Sequence, residues 1–315
     1  MNTSLPTPAA STPDTAPVRA PDDAPVAGGG QVLQLTAADG TVLAATLFAA
    51  TGPHWIVVGG ATAVPRGFYR RFAEHAQARG VNVLTLDYRG IGGSAPPSLR
   101  GYLPDYVDWA RQDLAAALAY AQARGEVFLV GHSYGGHAIG LLPVPQRQAL
   151  RAAYVVAGGA GWHGWMPWRE QLKVQLLWHV VGPLATTLLG YQPLKRLGIG
   201  EDLPVSIYRQ WKQWCRHPNY FFGDPEAAAL TRPFADVRLP IAAANALDDW
   251  WALPASRDAF FAGFVNAPLQ RIDIDAAAEG LSGIGHMGYF RPAVGKVLWP
   301  RMLGWLRGHG LQVED

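Results

Sequence analysis

Apolar and polar residues alternate over Gln31–Thr36 and again over Thr41–Phe48, on either side of Asp39-Gly40. A period of two around such a dipeptide predicts a β-hairpin. Trp55-Ile56-Val57-Val58 is instead a continuous apolar run ending in Gly59-Gly60, as in a strand buried on both faces. Helical spacing follows through Phe68, Phe72 and Ala76, closed by Gly80, and then a strand, Val81–Leu86, that ends in Asp87. Pro104 opens a long helix whose apolar face runs Val107, Ala110, Leu114, Ala117, Leu118, Ala121, with Gly125 after it. Val127–Val130 and Ala153–Val156 are further buried strands, the first leading directly into Ser133. This alternation predicts an α/β fold with a doubly wound, mostly parallel sheet.

The rhythm changes between Gly161 and about Phe234. No buried-strand pattern occurs there, and Trp162, Trp165, Trp168, Trp178, Trp211 and Trp214 crowd in. Alternation resumes with strands at Ile241–Asn245 and Leu269–Ile274 and a closing helix at Val297–Arg307. The expected organisation is a disordered tail over 1–30, a first core part over 31–160, a helical cap insertion over 161–235, and a second core part over 236–315. The tail is rich in Pro, Ala, Thr and Ser and lacks the basic start and apolar run of a secretory signal. The longest apolar stretch, Val174 to Gly190, is interrupted by His179, Gly182 and Pro183. It also falls short of the roughly 20 apolar residues a bilayer needs, so it reads as cap or core helices rather than a transmembrane segment.

Composition narrows the function classes. Of 315 residues, 49% are hydrophobic, enough for a sizeable core, and the net charge of +2 gives no field that suggests nucleic acid or an acidic membrane as partner. The single cysteine, Cys215, excludes a disulfide framework. With no targeting signal read, a cytoplasmic location is expected. His163, His179 and His217 show no ligand spacing, so neither a metal nor another cofactor is expected.

Chemistry enters at Gly131-His132-Ser133-Tyr134-Gly135, a G-x-S-x-G pattern placed between a buried strand and a helix. Such a turn exposes a serine hydroxyl as a nucleophile. The hydroxyl needs a histidine to take its proton and a carboxylate to orient that histidine, in the chain order Ser, acid, His. Downstream of Ile241–Asn245 lie only His286 and His309, and His309 follows the last helix. His286, in a loop flanked by Gly283, Gly285 and Gly288, is the candidate base. Asp249 is favoured as the acid, with Asp248 as the alternative. The oxyanion donors expected are the backbone amides of Tyr134 and Ala61. Trp211 and Trp214, at helical spacing in the insertion, are candidates for lining an apolar substrate pocket. The Asp87-Tyr88-Arg89-Gly90 loop lacks the Gly-Lys-Ser/Thr ending of a phosphate loop, so Asp87, Arg89 and Ser94 are expected to pin it structurally.

From about Gln31 onward the chain resembles the α/β-hydrolases. The likeness is to a proteobacterial group of predicted hydrolases related to serine aminopeptidase-like lipases and esterases. The matching stretches are Gly60-Ala61-Thr62-Ala63-Val64-Pro65 with Tyr69 and Phe72, Asp87-Tyr88-Arg89-Gly90-Ile91-Gly92-Gly93-Ser94, Gly131–Gly136, Asp248-Asp249, and Gly285-His286-Met287-Gly288-Tyr289-Phe290-Arg291. One departure is Gly59-Gly60 where the group carries His-Gly before the oxyanion loop. The resemblance implies the fold and a Ser133–His286–Asp triad. The function expected is cleavage of a small-molecule ester, or a thioester or amide, through an acyl-enzyme on Ser133. An acyltransferase on the same triad and a non-catalytic ligand-binding homologue are the alternatives.

Overall fold

The computed structural model describes residues 29–314; the expected tail, up to residue 28, lies outside the described residues. The strands are β1 (Gln31–Thr36), β2 (Val42–Phe48), β3 (His54–Gly59), β4 (Asn82–Leu86), β5 (Glu126–His132), β6 (Leu150–Val156), β7 (Tyr191–Gln192), β8 (Leu203–Pro204), β9 (Ile241–Ala246) and β10 (Leu269–Ile274). Eight of them form one sheet in the order β1-β2-β4-β3-β5-β6-β9-β10. Only β1 with β2 and β2 with β4 pair antiparallel; every pair from β4 across to β10 is parallel.

The continuous apolar runs are explained by this topology. Trp55 and Val57 of β3 pack with Leu114 and Tyr134 on one side of the sheet, while Ile56 and Val58 pack with Phe72 and Trp299 on the other. A parallel sheet covered by helices on both faces has no polar face, so alternation disappears from its central strands.

Two helix boundaries and the content of one segment differ from the sequence reading. The helix expected at Pro104 begins later, as a π-type turn over Trp109–Leu114 continuing into Ala115–Gln122. The first residues after Pro104 are engaged elsewhere: the Tyr106 N–H donates to Gln210 and the Val107 N–H to the Asp105 carboxylate. The closing helix starts earlier, at Pro292, and runs to Arg307. The segment between β6 and β9 carries helices Trp168–Leu176, Gly182–Leu189 and Val205–Trp214, but also a two-stranded antiparallel ribbon of β7 and β8. A π-type turn, Leu177–Val181, joins the first two of these helices. The resulting run, Trp168–Leu189, is long and apolar enough to cross a membrane by length and composition alone.

The loop after β4 is held by carboxylates. Asp87 accepts from the Arg66 and Gly93 amides and pairs with the Arg66 guanidinium, while the Ser94 hydroxyl donates to the Asp87 carbonyl and accepts from the Ala44 amide. Arg89 is buried, donating from Nε to Asp113 Oδ1 at 2.8 Å and from Nη1 to Asp39 Oδ2 at 2.7 Å. Burial raises the Asp113 carboxyl to about 6 against the pull of Arg89. Because the Arg89 amide also donates to Asp113, removing this carboxylate leaves the buried guanidinium with only the more exposed Asp39 and Asp108 and leaves a buried N–H without its acceptor. Asp113→Leu is therefore expected to cost about 3–5 kcal/mol of unfolding free energy, read from urea denaturation; a change below 1 kcal/mol would show that the pair is dispensable.

Candidate active site

β5 delivers the chain to Ser133 in a backbone conformation that side chains rarely adopt, φ 52° and ψ −106°. The helix Tyr134–Leu141 begins at the next residue. The Ser133 amide donates to the Val156 carbonyl at 2.9 Å, tying the turn to β6. Two glycines make this junction sterically possible. A Cβ on Gly135 would stand 2.1 Å from the Gly59 carbonyl oxygen, and one on Gly131 would stand 2.9 Å from Gly135 and Gly136 backbone atoms. Only bare backbone lets the helix start press against the end of β3.

Three residues far apart in sequence meet here. His286 Nε2 lies 3.2 Å from Ser133 Oγ, and His286 Nδ1 lies 3.1 and 3.0 Å from the two Asp249 carboxylate oxygens. A carboxylate can only accept, so Nδ1 carries the proton and Nε2 is left to accept from the serine hydroxyl. Asp249 is fully buried, and the Trp251 and Ala252 amides also donate to it. Asp248 is in a different position. Its two oxygens accept from the Ile284 and Gly285 amides at 2.7 and 3.1 Å, so it anchors the start of the one-turn helix Gly285–Gly288 that carries His286, where a loop was expected, rather than touching the imidazole.

The two expected oxyanion donors are situated differently. Tyr134 is the first residue of its helix, so its N–H has no intrahelical acceptor. The Ala61 N–H, by contrast, donates to the Tyr69 hydroxyl at 2.7 Å in a buried setting. A side chain eight residues downstream thus occupies the amide expected of Ala61 as an oxyanion donor.

That tyrosine belongs to a relay the sequence reading missed. His132 Nε2 lies 2.9 Å from the His286 carbonyl oxygen, and His132 Nδ1 lies 3.0 Å from Tyr69 Oη. The carbonyl accepts, which places the His132 proton on Nε2. Nδ1 then accepts from the Tyr69 hydroxyl, whose oxygen accepts from Ala61. Burial, with the neighbouring His286 adding to it, pushes His132 down to about 3. His132 lies inside the G-x-S-x-G pattern and Tyr69 among the residues of the family likeness, but their partners are 154 and 63 positions away, beyond any local pattern.

The tryptophans separate. Trp214 is buried in the core, stacked on Tyr106 with centroids 5.7 Å apart and edged by Tyr220 and Phe221. Trp214, a candidate for the pocket lining, is thus enclosed by rings of the core. Trp211 is only partly buried and stands in a row of rings, Trp178 to Trp211 at 5.0 Å, Trp211 to Trp251 at 5.6 Å, and Trp251 to His286 at 6.4 Å. Trp251, two residues past Asp249, was not singled out from sequence. Among the described residues, no three His, Cys, Asp or Glu side chains converge as a metal would require. Cys215 is buried, and burial pushes its thiol well up.

A family model described as serine aminopeptidase, S33, matches residues 56–200. The fold is also that of solved hydrolases. A soluble variant of monoglyceride lipase from Saccharomyces cerevisiae, solved with a substrate analog, superposes with a TM-score of 0.64 at 13% identity, covering 89% of this chain and 96% of that one. The chain has the α/β-hydrolase fold. A thermophilic esterase from Thermogutta terrifontis gives 0.57 at 14% identity over 89% and 100% of the two chains. An epoxide hydrolase from Vigna radiata gives 0.58 at 13% over 90% and 100%. Among curated proteins, no sequence matches the chain. The α/β-hydrolase fold thus accommodates more than one reaction, and the site must decide between them.

His132 and His137 are both buried and both pushed down to about 3, chiefly by desolvation. The unfolded chain protonates them below the ordinary value of 6.5, so below that pH it binds more protons than the fold does. Stability should therefore fall as pH drops from about 6.5 toward 3, by up to about 1.4 kcal/mol per pH unit for each histidine. Urea midpoints at pH 7.5, 6 and 5 measure this. His137→Gln should flatten the slope, and an unchanged slope would assign the loss to other groups.

Proposed function

We propose that the protein is a serine hydrolase that cleaves a small-molecule ester through an acyl-enzyme on Ser133. The observation that carries this reading is the unbroken line Asp249–His286–Ser133, with the serine on a strained strand-to-helix turn. A carboxylate nucleophile, as an alternative chemistry of this fold would need, has no place at an elbow that holds serine.

His286 takes the proton from Ser133 Oγ as the oxygen attacks the ester carbonyl. The imidazolium that forms is stabilised by buried Asp249, which holds the ring in the required tautomer. Negative charge develops on the former carbonyl oxygen, where the Tyr134 amide, at the positive end of its helix, receives it. His286 then returns its proton to the leaving alcohol, and water repeats the sequence on the acyl-enzyme. Asp248 and His132 hold the two ends of the loop that positions the base.

The segment 161–235 acts as a cap that selects the acyl or aryl group, and Trp211 and Trp251 line that choice. What supports this is the ring row that ends on His286. Trp211→Ala is then expected to shift the ranking of p-nitrophenyl esters of graded chain length by about tenfold. Trp214→Ala should leave the ranking alone and cost about 3–5 kcal/mol of stability. If the two variants behave alike, the division between lining and core is wrong.

A fluorophosphonate probe should label Ser133 and nothing else. Ser133→Ala should abolish labelling and lower turnover by about a million-fold. Asp249→Asn should cost about 10⁴ in turnover, and Asp248→Asn far less. Undiminished labelling of Ser133→Ala would end the serine-hydrolase reading.

A further inference from the structure

The helical run Trp168–Leu189 is apolar on the side away from the protein. Its inward positions are Val174, Trp178, Gly182 and Thr186, each buried. Its outward positions Trp168, Leu172, Leu176, Val180, Leu184 and Leu188 are 54–65% exposed. A soluble helix ordinarily turns its large aliphatic residues inward and charge outward. Here an 18-residue window has mean hydropathy 1.2, yet only 17% of it is buried. Residues spaced by four drift about 40° per step around an α-helix. The π-type turn Leu177–Val181 winds more slowly and brings the row back into line. Beyond the helix, Leu197 and Ile199 are also exposed.

Charge says what could cover this row. Between residues 161 and 216 there are seven Lys and Arg against three Asp and Glu, whereas the whole chain has 26 against 24. Two of those acids are already paired, Glu170 with Lys173 and Glu201 with Lys195; the third, Asp202, accepts from the Lys195 amide. Beside the helix is a cavity of about 200 Å³ lined by His163, Gln175, Trp178, His179, Lys212, Cys215 and Arg216, with no carboxylate among them. The buried Trp178 Nε1 donor has no acceptor. An apolar row flanked by cations fits a surface that is apolar below and anionic above.

We propose that this face docks on an anionic phospholipid bilayer. The helix lies in the plane of the interface with its outward row in the headgroup–acyl boundary, and the neighbouring cations meet lipid phosphates. It does not span the bilayer, because its inward side is packed on the protein, with the Tyr208 hydroxyl bonded to the Trp178 carbonyl and Trp178 against Trp211. A second copy is the poorer occupant: pairing two such faces would set their excess cations against each other. The inference does not depend on the chemistry assigned to Ser133.

The test is sedimentation of the full chain with phosphatidylcholine vesicles, with and without phosphatidylglycerol. Pelleting is expected with the anionic vesicles only, weakening as salt rises. Leu176→Asp together with Leu184→Asp should reduce binding more than tenfold. Lys212→Gln and Arg216→Gln should each reduce it about fivefold. Melting curves matching the parent chain establish that the variants, all at solvent-accessible positions, are folded. No pelleting on anionic vesicles, or folded variants that pellet as the parent does, overturns the proposal. So does light scattering that shows a dimer in lipid-free solution which the aspartate variants dissociate, since the face would then belong to a second copy.

Discussion

The molecule is organised around one unfavourable backbone conformation. Ser133 sits at φ 52°, where a side chain costs roughly 1–2 kcal/mol. It stays there because the Val156 carbonyl of β6 accepts from its amide and Gly135 lets the following helix press on Gly59 from the side. The sheet is thus the clamp for a strained residue, and the parallel pairing of β3, β5 and β6 supplies both jaws. A relaxed turn at this position would carry the hydroxyl away from His286 Nε2, which lies 3.2 Å from it in this conformation.

The second organising feature is the polar relay behind the elbow. The last residue of β5, His132, links the loop after β3 through Tyr69 to the loop carrying His286. Asp248 and Asp249, adjacent after β9, divide the labour at the same loop: one accepts from backbone amides, the other from the imidazole. Neighbouring carboxylates in sequence face different partners because the chain is turning at the end of a strand.

How much of this could be read in advance follows from the range of the forces involved. Strands β3, β5, β6 and β9 were legible because burial on both faces leaves a local apolar run. The grouping of Ser133, His286 and an acid after β9 was legible because chain order in a parallel sheet constrains which loops reach the same edge. The bond between the Ala61 amide and the Tyr69 hydroxyl was not, because no local pattern says where a side chain eight residues downstream will turn. Trp214 and Trp211, three residues apart, read identically by spacing, and only the packing of Tyr106 against one and Trp251 against the other separates them. The whole-chain charge of +2 likewise conceals a cationic segment balanced by an acidic remainder.

Strands β6 and β9 are direct neighbours in the sheet, with Ala153 opposite Ile241 and the Ala153 amide bonded to the Pro240 carbonyl. Everything between them leaves and re-enters the sheet at adjacent points. The closure entropy of such an excursion grows only as the logarithm of its length. The length of the segment can therefore change during evolution at little closure cost to the sheet register, provided the aromatics that it sends into the core, Trp214, Tyr220 and Phe221 among them, are kept. On the reading proposed above, surface preference and substrate preference would both change at this one doorway while the order of the sheet stays the same.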